Sequence, residues 1–266
     1  MKFSTTCYTL RVLNIKESIL TYCLAIHVNK GIVFASDSRT NAGVDYVASH
    51  SKMHTFIFPD DRCIFILTAG SLATSQAVMN QIATDLNDDS AKFDLLKAKY
   101  LHDIANYIGE LSQAQQTKHE DAMNKSGMSA ECSFILGGQI AGQNCAIFHV
   151  YPQGNYITAS SETPYVQIGE SKYGKPILDR VIAANTSLED AARCALVSLD
   201  STVRSNISVG PPLELAIHTN NDLSQPYQTA FTVNSPMYKS LQKQWNEGLK
   251  RAFKRLPRFD WEKPSI

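Results

Sequence analysis

The chain has 266 residues, 44% of them hydrophobic and 19% charged, which suits one compact globular domain with room for appendages. Its 25 basic residues balance its 25 acidic ones, so no excess charge argues for a nucleic-acid partner. No apolar run approaches the roughly 18–20 residues that a membrane-spanning helix needs. The six cysteines, Cys7, Cys23, Cys63, Cys132, Cys145 and Cys194, form no CxxC pair and no metal-type spacing. They read as reduced thiols of a cytoplasmic protein rather than a disulfide framework.

Residues 1–20 contain no apolar segment followed by a small-residue cleavage site. They stand apart as a leader, a propeptide or a mis-assigned start. From Thr21 the pattern turns to strands. Thr21 to Val28 and Gly31 to Ser36 flank Asn29-Lys30, a tight hairpin signal. Lys52 to Phe58 and Arg62 to Ala69 flank the turn sequence Pro59-Asp60-Asp61. Helical steps follow at Leu72, Val78, Met79, Ile82 and Leu86, then at Leu95, Leu96, Tyr100, Ile104, Ile108 and Leu111. The polar stretch Gln113 to Met128 reads as a loop or a fraying helix end.

Strands return at Cys132 to Gly137, Asn144 to Val150, Asn155 to Ser160 and Tyr165 to Ile168. Two helices are expected near Ser171 to Ala184 and Leu188 to Ser205, the second opened by the capping-box sequence Thr186-Ser187-Leu188-Glu189. Leu213 to Thr219 and Gln228 to Val233 read as the last strands. An amphipathic helix then runs from Pro236 to about Leu256, with Tyr238, Leu241, Trp245, Leu249 and Phe253 at helical steps. Blocks of strands alternating with pairs of helices predict an α+β fold, a four-layer αββα sandwich of two antiparallel sheets. The sandwich is expected over residues 21–235, with a C-terminal helix and tail over 236–266.

One ordered set of residues carries chemistry. Thr21 opens a strand, Asp37 follows sixteen positions later within Ala35-Ser36-Asp37-Ser38-Arg39-Thr40, then come Lys52-Met53 and Ala69-Gly70-Ser71. This order resembles the front half of a proteasome β subunit or an HslV-type protease. In that family a terminal Thr is followed by an Asp at this spacing, a Lys on the next strand and a Gly before the first helix. SDSRTNAGVD (36–45), KMH (52–54), IGESKYGKPILDR (168–180) and DSTVRSNISVGPP (200–212) are similar to the Anbu, or ancestral β subunit, branch of these N-terminal-nucleophile (Ntn) hydrolases. The resemblance covers Thr21 to Thr219. It departs from typical β subunits where Glu170 stands for a serine and Ser205 for an aspartate, while Ser208 matches the family's serine.

The chemistry is legible without the family. A threonine hydroxyl is a weak nucleophile and needs an adjacent base. At a chain terminus it carries one, an α-amine with a reference pKa of about 7.7–8.0. A nearby cation favours the deprotonated amine; Lys52 supplies it and Asp37 fixes the lysine. The N–H of Gly70, at a strand-to-helix turn, is placed to stabilise an oxyanion. The resemblance thus implies a threonine peptidase with Thr21, Asp37, Lys52, Gly70 and Ser208 in its site. Its substrate would be a peptide or unfolded protein, and it would act within a homo-oligomer, a ring or an open helical assembly.

Two other readings stay open: a catalytically silent assembly subunit, and an amidase of the same superfamily. Cys23, two residues inside its strand, is a poor alternative nucleophile. His27, His54, His149 and His218 lack ligand-like spacing, and no G-x-S-x-G, HExxH or P-loop occurs. No cofactor or metal is therefore expected, and any ATP-driven unfoldase would be a separate protein. The free amine on Thr21 has two possible sources. One is removal of a propeptide, though Leu20 replaces the usual Gly. The favoured one is translation from a UUG or CUG start at the codon written as Leu20, followed by loss of the initiator Met.

Overall fold

The computed structural model describes residues 21–41, 47–126 and 128–262. The leader expected at 1–20, with Cys7, and the last four residues of the 36–45 motif lie outside the described residues. The first sheet contains β1 (Tyr22–Val28), β2 (Gly31–Asp37), β10 (Tyr165–Gly169), β11 (Leu213–Thr219) and β12 (Tyr227–Phe231), in the order β10-β1-β2-β11-β12. The second contains β5 (Met53–Phe58), β6 (Arg62–Gly70), β7 (Cys132–Ile140), β8 (Ala146–Val150) and β9 (Tyr156–Thr158), in sequence order. All neighbours in both sheets pair antiparallel.

The central strands are apolar on both faces because both faces are covered. Tyr22, Leu24 and Ile26 of β1 join the core beneath α3 (Lys175–Val181), α4 (Leu188–Ser205) and the start of α5 (Pro236–Lys254). The alternate residues Cys23 and Ala25 join Ile32, Phe34, Phe65, Leu67 and Ile135 between the sheets. The outer face of the second sheet, through Ile64, Ile66, Phe134 and Leu136, meets α1 (Leu72–Leu86) and α2 (Leu101–Lys125). A period of two along each strand therefore feeds two separate cores. Each fully buried aliphatic side chain contributes about 1.5–3 kcal/mol. The result is the expected αββα sandwich.

Three details differ from the sequence-based expectation. The polar stretch beginning at Gln113 continues α2 to Lys125. It contains no proline, and its glutamines have partners: Gln116 Nε2 donates to Ser112 Oγ and to Pro152 O, both at 2.9 Å, and Gln113 donates to Gln153 O. The same helix starts later than the apolar steps imply. Asp94 accepts from Leu96 N at 2.7 Å and Lys97 N at 2.9 Å, and so turns that segment on itself. An unanticipated small hairpin pairs β3 (Arg39–Asn41) with β4 (Val47–Ser49).

The C-terminal helix is anchored at one end. Buried Asp200 of α4 accepts from Tyr238 Oη at 3.0 Å, from Arg204 Nε at 2.8 Å and from Gln242. Beyond it Leu249, Phe253, Leu256, Phe259 and Trp261 are exposed. No helix among the described residues is long and apolar enough to cross a membrane.

Burial pushes the strand histidines His27, His54 and His218 below their ordinary value and His149 down to about 4. They are held neutral in the fold, whereas the unfolded chain protonates them below about pH 6.5. The unfolded state then binds more protons, so stability present above pH 6.5 is lost as pH falls toward 4. Melting temperatures measured from pH 7.5 to 4.5 should fall steadily, and His149→Gln should flatten the slope. An identical slope in the variant would remove His149 from this account.

Candidate active site

The hairpin turning at Asn29-Lys30 sets Cys23 opposite Ser36, which leaves Thr21 and Asp37 side by side at its open end. Thr21 Oγ1 donates to Asp37 Oδ1 at 2.5 Å, and Tyr22 N donates to the same oxygen at 3.1 Å. The sixteen-residue spacing between threonine and aspartate is thus a property of the hairpin register. Lys52 arrives from the other sheet, just before β5. Its Nζ reaches Asp37 Oδ1 at 2.7 Å and Arg39 O at 2.6 Å. Thr21, Asp37 and Lys52 are all buried, with 2%, 0% and 6% of their surface exposed. Water therefore screens the Asp37–Lys52 attraction little.

Gly70 ends β6 opposite Cys132 and is followed by Ser71, whose Oγ caps α1 by accepting from Thr74 N at 3.3 Å. Its φ of +110° and the approach of Glu131 O to 2.4 Å of any added Cβ require glycine. Ser208 lies in the loop after α4, where its N–H donates to Asn206 Oδ1 at 2.9 Å. The structure thus brings Thr21 and Lys52 each onto the same oxygen of Asp37. Neither Gly70 nor Ser208 hydrogen-bonds Thr21 or Asp37 among the described residues.

Other groups complete the site, Gly210 and Glu214 among them without having been singled out from sequence. Gly210 N donates to Asp37 Oδ2 at 3.1 Å, so both carboxylate oxygens are engaged. Glu214 accepts from Lys52 N at 3.3 Å and from Ser36 Oγ and Ser51 Oγ, each at 3.1 Å, and so holds the lysine's main chain. The signal for it was one acidic residue in the otherwise apolar strand Leu213 to Thr219. Glu170 is buried, and its N–H donates to Thr21 O at 2.7 Å.

Burial raises the thiols of the five described cysteines. Cys63, Cys132, Cys145 and Cys194 rise to about 12, and Cys23 is raised most strongly. None of them is a thiolate at neutral pH. Among the described residues no group of three His, Cys, Asp or Glu side chains is assembled to hold a metal ion.

A family model described as proteasome subunit matches residues 21–217, beginning on Thr21 itself. The chain belongs to the proteasome subunit family. Within it, the chain is of the Anbu type. It is 41% identical to Anbu (ancestral β-subunit) from Yersinia bercovieri, covering 90% of this chain and 99% of that one, with a TM-score of 0.83. It is 44% identical to a structure described as the helical assembly of the Anbu complex from Pseudomonas aeruginosa, covering 90% and 98%, also at 0.83. Anbu from Hyphomicrobium sp. strain MC1 is 36% identical, covering 90% and 100%, at 0.82. A search of the curated proteins found no match.

Removing one member of a buried ion pair strands the other and costs about 3–5 kcal/mol. Lys52→Met should therefore destabilise the fold by that amount in urea denaturation. Adding Asp37→Asn should recover part of it, since no uncompensated charge remains. Two losses that simply add would show that the pair is not coupled.

Proposed function

We propose that this proteasome-type subunit is a threonine peptidase that hydrolyses peptide bonds with Thr21 as its nucleophile. The observation that carries this reading is the single oxygen, Asp37 Oδ1, that receives both Thr21 Oγ1 and Lys52 Nζ. A hydroxyl, a carboxylate and a cation held together away from water have a bland alternative as core polar groups. That alternative does not account for a nucleophile-type residue at the open end of a hairpin, next to the segment where the chain would have to be cut or started.

The steps follow from the placement. The α-amine of a terminal Thr21 takes the Oγ1 proton, and Oγ1 attacks the scissile carbonyl. The oxyanion is stabilised by the Gly70 N–H, a class of donor whose loss costs about 2.7–4 kcal/mol. The protonated amine then gives its proton to the leaving amine, and an ester to Thr21 remains. Water, activated by the same amine, hydrolyses the ester and restores the hydroxyl. The positive charge of Lys52 favours the neutral amine between steps, while Asp37 and the loop bearing Ser208 fix the geometry. Five buried free thiols support a reducing, cytoplasmic setting.

A protein that begins at Thr21 should be labelled covalently by a peptide vinyl sulfone, with the mass increment on the N-terminal peptide. Thr21→Ala should fold and lose labelling entirely. Lys52→Ala and Asp37→Asn should each lose most of it. Wild-type labelling of Thr21→Ala would end the proposal. Terminal sequencing of active native protein should begin at Thr21, because any upstream residue converts the base to an amide; an intact Met1 on active enzyme would exclude the mechanism.

Self-assembly is part of the reading. The relative from Pseudomonas aeruginosa is described as a helical assembly, and α5 of this chain leaves Leu249, Phe253 and Leu256 exposed beyond its anchor. Light scattering at micromolar concentration should show a particle many times the 29.4 kDa of one chain. A monomer at that concentration would contradict it.

A further inference from the structure

We propose that Glu170 is a positioning residue for Thr21, acting through Asn206 and the loop that follows it; this rests on Thr21 being the nucleophile. Glu170 is a carboxylate with only 6% of its surface exposed. Its Oε2 accepts from Asn206 Nδ2 at 3.0 Å, and its Oε1 lies 3.4 Å from the largely exposed Lys172 Nζ. An exposed partner of that kind contributes little, so the bond to Asn206 is the one that holds the buried carboxylate in place.

The bonds around Glu170 close into a circuit. Its N–H holds the Thr21 carbonyl at 2.7 Å. Gly169 before it has φ +80°, and any Cβ there would lie 2.0 Å from Thr21 O, so the corner is pressed against the threonine main chain. On the other side, Asn206 ends α4 and uses its Oδ1 to accept Ser208 N at 2.9 Å and its carbonyl to accept Val209 N at 3.2 Å. The loop so shaped delivers Gly210 N to Asp37 Oδ2 at 3.1 Å, and Asp37 Oδ1 returns to Thr21 Oγ1. Arg39 clamps the loop from outside by donating to Ile207 O at 2.8 Å.

The carboxylate therefore ties the residue whose N–H holds the threonine main chain to the loop that reaches Asp37, the group that orients the threonine hydroxyl. A terminal residue has no upstream chain to hold it, so this second grip sets where Oγ1 points. Displacement of a reacting group by about 1 Å costs on the order of 100-fold in rate.

The test uses the peptide vinyl sulfone on full-length protein that begins at Thr21. Glu170→Ala should lower the maximal labelling rate about 100-fold with the half-saturating probe concentration within about twofold. Glu170→Gln keeps an oxygen for Asn206 and should label at close to the wild-type rate. Asn206→Asp sets two carboxylates 3.0 Å apart and should fail, whereas Glu170→Gln combined with Asn206→Asp restores an amide–carboxylate bond and should recover the rate.

A general loss of packing would not be rescued by that exchange, so a double variant no faster than Asn206→Asp overturns the proposal, as does Glu170→Ala at the wild-type rate. If wild type itself is not labelled, the peptidase reading falls. Hydrogen exchange then decides the inference alone: amides of the 206–210 loop should exchange about tenfold faster in Glu170→Ala than in wild type, and unchanged exchange overturns it.

Discussion

A carboxylate with no exposed surface is a liability unless every lone pair it presents is met, because taking the charge out of water costs several kcal/mol. Asp37 is met by Thr21 Oγ1, Tyr22 N, Lys52 Nζ and Gly210 N. Those donors come from the start of β1, the residue before β5 and the loop before β11. The fold must bring all of these segments to one point or leave Asp37 stranded. Much of the architecture at this end of the sandwich follows from that demand: the hairpin register, the lysine crossing between sheets, and the tight loop after α4.

Lys52 carries the same constraint one step outward. Its ammonium needs acceptors as much as the carboxylate needs donors, and Arg39 O supplies the second one. Glu214 then grips the lysine's main chain together with Ser36 and Ser51, tying β11, β2 and the entry to β5 into one polar seam between otherwise apolar sheets. The seam is specific where the core is not. Aliphatic contacts tolerate small slips of one sheet over the other, but a charged network with defined partners does not.

The elements read well from sequence wherever a period repeats. β1 and β2 alternate between two cores, and the Asn29-Lys30 turn between them was enough to place Thr21 beside Asp37. Gly70 was legible because a strand-to-helix corner with positive φ admits little else. The loop of 205–210 was not, because the bonds that carry it to the site are to Glu170, Arg39 and Asp37, all distant in sequence. Ser208 drew notice by matching a familiar serine, yet it is Gly210, two positions on, whose N–H touches Asp37. The polar end of α2, open between loop and helix end in the sequence, is undecided there for a related reason. Its glutamines find partners across space, at the Pro152-Gln153-Gly154 turn, and no local pattern records that. Glu214 is a single charge in a largely apolar strand, and such an isolated charge becomes informative only once its neighbours are known.

The crossing of Lys52 from one sheet to the other has a consequence for the order of events in the life of the chain. The threonine and the aspartate both belong to a single local hairpin. The lysine joins them only when the two sheets have closed face to face, which requires most of the chain. A molecule whose sheets have not closed therefore lacks the full set of hydroxyl, carboxylate and cation. On the peptidase reading proposed above, completion of the core acts as a built-in safety catch.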